Sequence, residues 1–207
     1  MGVNSGREGA GAVVLEASES PVGLLASKLT CDSGAAEALK LPYFGTAADR
    51  FQTDYRQMTI QFDGREIFRR AVKGMQEASE YVLNKTHVSK EQVDLMVPHQ
   101  ANIRIIEALG KFMGMPEEKV MVNIGSYGNT SAATIPVALT EALESGRVKP
   151  HSTVLLAAFG AGLTCGAGLL RWGDRVQALG QSDAELPPCD QSALEILAPA
   201  IKASVAG

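Results

Sequence analysis

A regular alternation of strand and helix patterns between Met58 and Trp172 most constrains what this chain can fold into. Short apolar runs alternate there with amphipathic stretches, which predicts the order βαβαβαββ and favours a mainly parallel sheet with helices on both faces. The short turn Gly160-Ala161-Gly162 indicates that the last strand returns antiparallel. The sequence therefore predicts an α/β unit with a five-stranded mixed sheet. The predicted elements are 58–62, 65–85, 93–97, 102–113, 120–124, 132–144, 153–159 and 164–172.

The segments outside this unit have weaker patterns. Residues 12–17 (AVVLEA) and 24–30 (LLASKLT) are typical of strands, and the intervening Pro21 and Gly23 favour a turn that pairs them antiparallel. Residues 31–57 lack periodicity and predict a connecting loop. In the tail, 175–207, residues 193–203 could form a short amphipathic helix, or equally a terminal packing helix or a frayed end.

Composition excludes several classes of protein. The 207 residues carry a formal net charge of −4, which argues against a dominant nucleic-acid or anionic-membrane surface because such surfaces need an excess of Lys and Arg. No apolar stretch approaches the ~18 residues of a membrane-spanning helix. The cysteines, Cys31, Cys165 and Cys189, are odd in number, lack CxxC spacing and follow no apolar signal segment. We therefore expect a cytoplasmic protein without a disulfide framework.

Polar residues follow the predicted strands where functional groups of a parallel sheet collect. His99 comes directly after 93–97, and Asn129 follows 120–124 across a turn in which Gly125 and Gly128 permit tight backbone geometry. Both side chains are expected at the same edge of the sheet. A histidine in this place is also compatible with a structural or capping role, and Asn129 with an Asx-turn or a helix N-cap.

Common nucleotide-binding and hydrolase motifs are absent from the sequence. It contains no GxxxxGK loop, no GxGxxG run and no GxSxG elbow. Nucleotide binding and α/β-hydrolase chemistry therefore lose support.

Three segments, VPHQANIRII, YGNTSAATIP and AAFGAGLTCGAGLLRWG, resemble the signature segments of β-ketoacyl-acyl carrier protein synthase III. The resemblance runs from about Gly9 to Gly173 and includes GAGAVVLEAS and GREIF. It implies a thiolase-like fold of two similar halves, with two active sites per homodimer. By this resemblance, 58–174 is the C-terminal half-domain, and 1–30 holds two strands left from the N-terminal half.

The same resemblance implies a reaction. Synthases of this family transfer an acyl group from acyl-CoA, commonly acetyl-CoA, to a cysteine and condense it with malonyl-acyl carrier protein, releasing carbon dioxide to start fatty-acid synthesis. His99 and Asn129 match the donors that stabilise the enolate left by decarboxylation. The substrates are thioesters, and no metal or other cofactor is implied.

Further residues match the family's substrate site. The backbone N–H of Ala161 corresponds to an oxyanion-hole donor, although the family more often has Gly there. Phe159 matches the phenylalanine beside the reactive cysteine, and Phe68, Ala101 and Asn102 match the lining of the pantetheine tunnel. Core packing is an equally open interpretation for the two phenylalanines.

Three basic residues, Arg69, Arg104 and Lys111, match the family's patch for the acidic carrier protein. Phe112 stands where the family often has another lysine, which would weaken the patch. Each base is equally compatible with an ordinary solvated surface.

The family's nucleophilic cysteine opens a helix in the N-terminal half, and no cysteine here has that context. The resemblance thus predicts a part of a synthase that needs the missing half or a partner chain for activity. Two alternatives stay open: a non-catalytic partner or regulatory subunit of a condensing enzyme, and a quinolone or polyketide starter synthase of the same superfamily.

Overall fold

The computed structural model describes residues 9–41, 59–177 and the single residues 195 and 198. Within these ranges it forms six strands, four α-helices and short 3₁₀ turns. The strands are β1 (Gly23–Cys31), β2 (Leu39–Lys40), β3 (Gln61–Phe62), β4 (Leu95–Pro98), β5 (Thr153–Gly160) and β6 (Thr164–Arg171); the helices are α1 (Gly64–Thr86), α2 (Ile103–Met113), α3 (Ile124–Tyr127) and α4 (Thr134–Glu144).

The main sheet is mixed and has the strand order β1-β6-β5-β4. β4 and β5 run parallel, whereas β6 is antiparallel to both of its neighbours. A single parallel bridge between Met96 and Val120 adds a fifth position beside β4. The predicted mixed α/β sheet and the antiparallel return of the last strand are confirmed. The expectation of a mainly parallel sheet is wrong, because two of the three strand pairs are antiparallel.

Two predicted strands have different partners from those expected. Residues 24–30 do form a strand, but it pairs with β6 from Gly23↔Arg171 to Cys31↔Thr164 instead of with 12–17. Residues 12–17 are exposed and not in a strand. The predicted strand 58–62 contributes only β3, which pairs with β2 in a separate two-stranded sheet. β1 therefore takes the place in the main sheet that the sequence assigned to 58–62.

The predicted long helix forms as α1 and covers one face of the main sheet. Asp63 caps its N-terminus, since its carboxylate accepts hydrogen bonds from the backbone N–H groups of Arg65 and Glu66 at 3.0 Å. The helix ends where His87 adopts a left-handed φ of 55°. Its apolar stripe packs against the sheet and α2, so burial of this face stabilises the whole layer.

The side chains of β4 alternate between two cores, as the period of a strand requires. Met96 lies in the cluster beneath α1 and α2, whereas Leu95 and Val97 lie in the cluster beneath α4. All three are essentially excluded from solvent. Helices thus cover both faces, as predicted, and the carboxyl end of β4 emerges between them.

The remaining predictions are partly tested by the described residues. The loop 31–57 contains a 3₁₀ turn at Ser33–Ala38 and β2, and its residues 42–57 lie outside the described ranges, as does nearly all of the tail. The division at residues 30, 57 and 174 stays a prediction. None of the helices in the described ranges is long and apolar enough to cross a bilayer.

Candidate active site

His99 lies immediately beyond β4 at the carboxyl edge of the sheet. Its backbone N–H donates to the carbonyl oxygen of Ala157 on β5 at 2.7 Å, which extends the parallel pairing by one residue. Its own carbonyl accepts a hydrogen bond from the N–H of Ala101 at 3.0 Å, closing a tight turn. These backbone hydrogen bonds therefore fix the position of the His99 backbone, from which the imidazole projects.

The imidazole of His99 is held by residues distant in sequence. Its Nδ1 lies 2.6 Å from Oγ1 of Thr134, at the start of α4. The ring of Phe159 on β5 meets it edge to face, with centroids 5.5 Å apart. Burial lowers the pKa of His99 below its usual value. At neutral pH the ring is therefore uncharged, and Nε2 is the nitrogen left for a substrate.

Asn129 lies in the turn that leads into α4. Its side-chain oxygen accepts a hydrogen bond from the backbone N–H of Ser131 at 2.9 Å, and Ser131 adopts a left-handed φ of 53°. The Asx-turn interpretation is thus confirmed, while the N-cap of α4 is Ala133 and not Asn129. Because the oxygen is engaged, the amide nitrogen is the end of the side chain that remains to donate.

Gln100 ties the His99 loop to the segment that leads to Asn129. Its side chain is 1% exposed. Its Nε2 donates to the carbonyls of Pro98 at 2.8 Å and Met121 at 3.1 Å. Its Oε1 accepts from the backbone N–H groups of Asn123 at 2.9 Å and Ile124 at 3.2 Å. One buried amide therefore satisfies four backbone groups from two separate loops.

Glu141 on α4 anchors the same segment from the other side. Its carboxylate accepts from Nδ2 of Asn123 at 2.8 Å and from the hydroxyl of Tyr127 at 2.7 Å. The hydrogen bond and the negative charge of Glu141 raise the pKa of Tyr127. α3 is thereby held against α4, and the turn to Asn129 starts from a fixed point.

Thr130, next to Asn129, carries a buried hydroxyl without a hydrogen-bond partner in the described part of the chain. A Cβ added to Gly9 would lie 3.2 Å from Cβ of Thr130, and one added to Gly11 would lie 2.4 Å from Pro136. Residues 9–11 therefore pack closely on this segment, and side chains at Gly9 and Gly11 would disturb it. An unpaired buried hydroxyl is costly, by about 1–3 kcal/mol.

The predicted oxyanion turn follows β5. Gly162 takes the positive φ of 136°, and Ala161 is not among the described residues with a left-handed φ. Alanine can replace glycine where the backbone does not need a left-handed φ, and Ala161 meets that condition. The carbonyl of Ala161 accepts a hydrogen bond from the Thr164 hydroxyl at 3.0 Å, which holds the peptide that follows Ala161. Whether its N–H stabilises an oxyanion stays a prediction.

The predicted tunnel residues lie in two environments. Phe159 packs on the core cluster beneath α1 and also contacts His99, so core packing applies to it, while its place beside a reactive cysteine stays a prediction. Phe68 is 37% exposed on α1, which does not fit core packing. Asn102 caps α2, since its Oδ1 accepts from the N–H of Arg104 at 2.9 Å, and it lines an open depression with Ile103. Ala101 lies between His99 and this cap.

The predicted basic patch is uneven. The guanidinium of Arg69 forms three hydrogen bonds with the carboxylate of Glu66 at 2.8–3.2 Å. Within the described ranges, the charged groups of Arg104 and Lys111 enter no ion pair with a protein carboxylate. Seven residues apart on one helix, they lie on the same face about 10 Å apart. Arg69 is thus partly neutralised, and the α2 pair carries most of the patch.

Neither described cysteine has the environment of an activated nucleophile. Cys165 is buried on β6, and burial raises the pKa of its thiol, with smaller contributions from the charges of Asp32 and Glu77. Cys31 is exposed at the end of β1 and opens no helix. Cys189 lies outside the described residues. Among the residues described, no cluster of metal-binding side chains occurs.

Two site residues, Gln100 and Thr134, were not predicted from the sequence as site residues. Gln100 has the weak signal of a polar residue inserted between His99 and a helix cap. Thr134 has none, because its approach to His99 across 35 positions depends on how α4 packs on β4. Tertiary packing of this kind leaves no local periodicity to detect.

The mixed sheet with helices on both faces has the architecture of one half of a thiolase-like fold. The comparisons agree with that class. Residues 83–172 match the family described as 3-oxoacyl-[acyl-carrier-protein (ACP)] synthase III C terminal. Over these residues the chain is thus similar to the C-terminal part of β-ketoacyl-acyl carrier protein synthase III.

Individual relatives agree with the family match. The chain is 53% identical to beta-ketoacyl-[acyl-carrier-protein] synthase III 2 of Vibrio cholerae over 94% of its own length and 54% of the relative. It superposes on the crystal structure of 3-oxoacyl-[acyl-carrier-protein] synthase III from Aquifex aeolicus with a TM-score of 0.66 and 44% identity. The superposition covers 75% of this chain and 46% of that one. A priming β-ketosynthase of the R1128 polyketide pathway gives a TM-score of 0.66 at 30% identity, covering 76% and 47%. The chain thus spans about half the length of the curated relatives it matches.

Proposed function

We propose that this chain is the C-terminal part of a cytoplasmic acyltransferase that condenses acyl-CoA with malonyl-acyl carrier protein and so starts fatty-acid synthesis. Acetyl-CoA is the proposed starter, and no metal or other cofactor takes part. The observation that carries the proposal is that both side chains are held in place: Thr134 contacts the partly buried imidazole directly beyond β4, and the Ser131 N–H holds the amide oxygen in the turn before α4. The family match supports the same assignment.

The chemistry requires donors and no proton acceptor at the thioester oxygen. When the malonyl carbon–carboxylate bond breaks, carbon dioxide leaves and the electron pair moves onto the thioester as an enolate. Nε2–H of His99 and the Nδ2 amide of Asn129 stabilise that oxygen. A charged imidazolium is unnecessary, and burial of His99 keeps the neutral form. The enolate carbon then attacks the carbonyl carbon of an acyl-cysteine thioester supplied by a separate segment. The new C–C bond forms as the C–S bond breaks and the cysteine leaves as a thiolate.

We further propose that this second segment corresponds to the N-terminal half of the relatives, on the same or another polypeptide. Two features support the need for it. The buried hydroxyl of Thr130 has no partner among the described residues, and Val13, Val14 and Leu15 are 66–90% exposed in a stretch outside the strands. Exposed apolar side chains of this kind gain stability when another segment covers them. Homodimerisation would then produce two complete sites.

The proposed carrier-protein contact centres on Arg104 and Lys111. Their charged groups are exposed on one face of α2, whose N-terminus follows directly on the His99 loop. An acidic carrier protein docked there would deliver its thioester toward His99 and Asn129. Arg69 contributes less, because Glu66 already neutralises much of its charge.

A polyketide or quinolone starter synthase is the second candidate. The likeness to the R1128 priming β-ketosynthase favours it. The two candidates use the same decarboxylative step and differ in the starter acyl group. A non-catalytic partner of a condensing enzyme is the third reading, and the retained carrier-protein face is what favours it.

Complementation tests the proposal. The purified chain is mixed with a polypeptide comprising the N-terminal part of the V. cholerae relative that this chain does not match, and condensation of acetyl-CoA with malonyl-acyl carrier protein is measured. We expect product only from the mixture, and slow release of carbon dioxide from malonyl thioester by the chain alone. Full condensation by the chain alone would contradict the need for a second segment. Product with longer or aromatic starters, but none with acetyl-CoA, would favour the second candidate.

A further inference from the structure

The contact between His99 and Thr134 supports a further inference about the same site. Its catalytic consequence rests on the proposed function. The two atoms, Nδ1 and Oγ1, lie 2.6 Å apart, and Thr134 is 2% exposed. Water therefore does not compete for this hydrogen bond. We propose that Thr134 is a positioning residue whose hydroxyl donates to Nδ1 and so holds His99 as the Nε2–H tautomer.

The donors and acceptors available to Thr134 and His99 decide which of the two groups donates the hydrogen bond. Within the described residues, Oγ1 of Thr134 has one hydrogen-bond partner, Nδ1 of His99. If Nδ1–H donated to Oγ1, the hydroxyl hydrogen of Thr134 would have no acceptor, and buried donors without partners are rarer and costlier than buried acceptors with a spare lone pair. If the hydroxyl donates, both groups are satisfied. The neutral imidazole that burial favours then carries its proton on Nε2.

The tautomer decides what His99 can do for the reaction. An Nε2–H group donates to the oxygen that becomes negative during decarboxylation, whereas a bare Nε2 would present a lone pair to it. The edge-to-face contact with Phe159 and the backbone hydrogen bond to Ala157 keep the imidazole in place but do not select a tautomer. Thr134 is the group that selects it.

Two substitutions separate the hydroxyl from the shape of Thr134. Thr134→Val keeps the branched side chain and removes the hydroxyl, while Thr134→Ser keeps the hydroxyl. Imidazole nitrogen shifts in the uniformly ¹⁵N-labelled full chain report the tautomer directly, and the sequence has only three histidines to assign. We expect the Nε2–H pattern for His99 in the native chain and in Thr134→Ser, and a substantial Nδ1–H population in Thr134→Val.

A native Nδ1–H pattern, or an unchanged tautomer in Thr134→Val, would overturn the proposal. If Thr134→Val does not fold, the proposal is decided by the tautomer that the nitrogen shifts report for His99 in the native chain and in Thr134→Ser. In the complemented enzyme, kcat for malonyl decarboxylation should fall about tenfold in Thr134→Val with little change in KM, and Thr134→Ser should restore it. Absence of all decarboxylation would count against the proposed function and leave the spectroscopic result standing.

Discussion

The His99 segment, residues 98–102, and the Asn129 segment, residues 123–131, are held in place by different means. The imidazole of His99 is held by Thr134 and Phe159, which lie 35 and 60 positions away in sequence. The amide of Asn129 is oriented by Ser131, two residues away. One of the two side chains thus depends on tertiary packing, and the other on a local turn.

This difference predicts how each position responds to change. A local Asx-turn keeps its geometry as long as the side chain retains an acceptor oxygen, so the shape of Asn129 and its donor role can be separated by substitution. The geometry of His99 cannot be separated from the packing of α4 on the sheet. Gln100 couples the two segments, because it hydrogen-bonds backbone groups in both.

Asn129→Asp should give the largest loss of activity. Aspartate keeps the oxygen that accepts from Ser131 N–H, but it has no amide hydrogen and places negative charge beside the forming enolate. We expect decarboxylation by the complemented enzyme to fall by more than about 10³-fold, with unchanged unfolding by urea. Asn129→Ala is the matched comparison and should fall less in activity while losing the turn. Activity near the native level in Asn129→Asp would show that the residue is structural only.

His99→Ala should follow, with decarboxylation lower by roughly 10²- to 10³-fold. The loss comes from the missing donor, and the cavity beside Phe159 adds a modest loss of stability. His151→Asn is the control, because that imidazole is exposed and pairs with Asp174 away from His99. Carbon dioxide release that does not depend on His99 would remove it from the proposed mechanism.

The contrast between the two segments also explains what the sequence could predict. Helices α1, α2 and α4 have clear apolar periodicity and ended close to the expected residues. The edge position of His99 followed from the strand before it, and the Asx-turn from Asn129 itself. The partners of the strands were harder to predict. The turn between residues 12–17 and 24–30 favoured pairing these two segments, whereas the actual partner of β1 is β6, which is distant in sequence and leaves no local signal. Gln100 and Thr134 act through contacts that only the packed fold creates.

Gln100→Met tests the coupling between the segments. The methionine keeps the length and burial of the side chain but leaves two backbone N–H groups and two carbonyls without partners. We expect a loss of about 3 kcal/mol in the free energy of unfolding by urea. Gln76→Met on α1 is the control and should change it by less than about 0.5 kcal/mol, since the side chain of Gln76 bonds only Glu80 within the described residues. Equal losses at both positions would show that the buried network does not hold the segments.

The smallest expected effect is the contribution of His99 to the pH dependence of stability. Burial lowers the pKa of His99 in the folded chain, whereas the unfolded chain titrates near 6.5. As pH falls through that value, the unfolded state takes up a proton that the folded state does not, so the folded state loses stability. His99→Gln removes this titration. Urea unfolding of the two proteins between pH 7.5 and about 5 should therefore show a steeper decline for the native chain. Parallel declines would mean that the site leaves His99 as solvated as in the unfolded chain, and the neutral imidazole assigned to the enolate step would lose its physical basis.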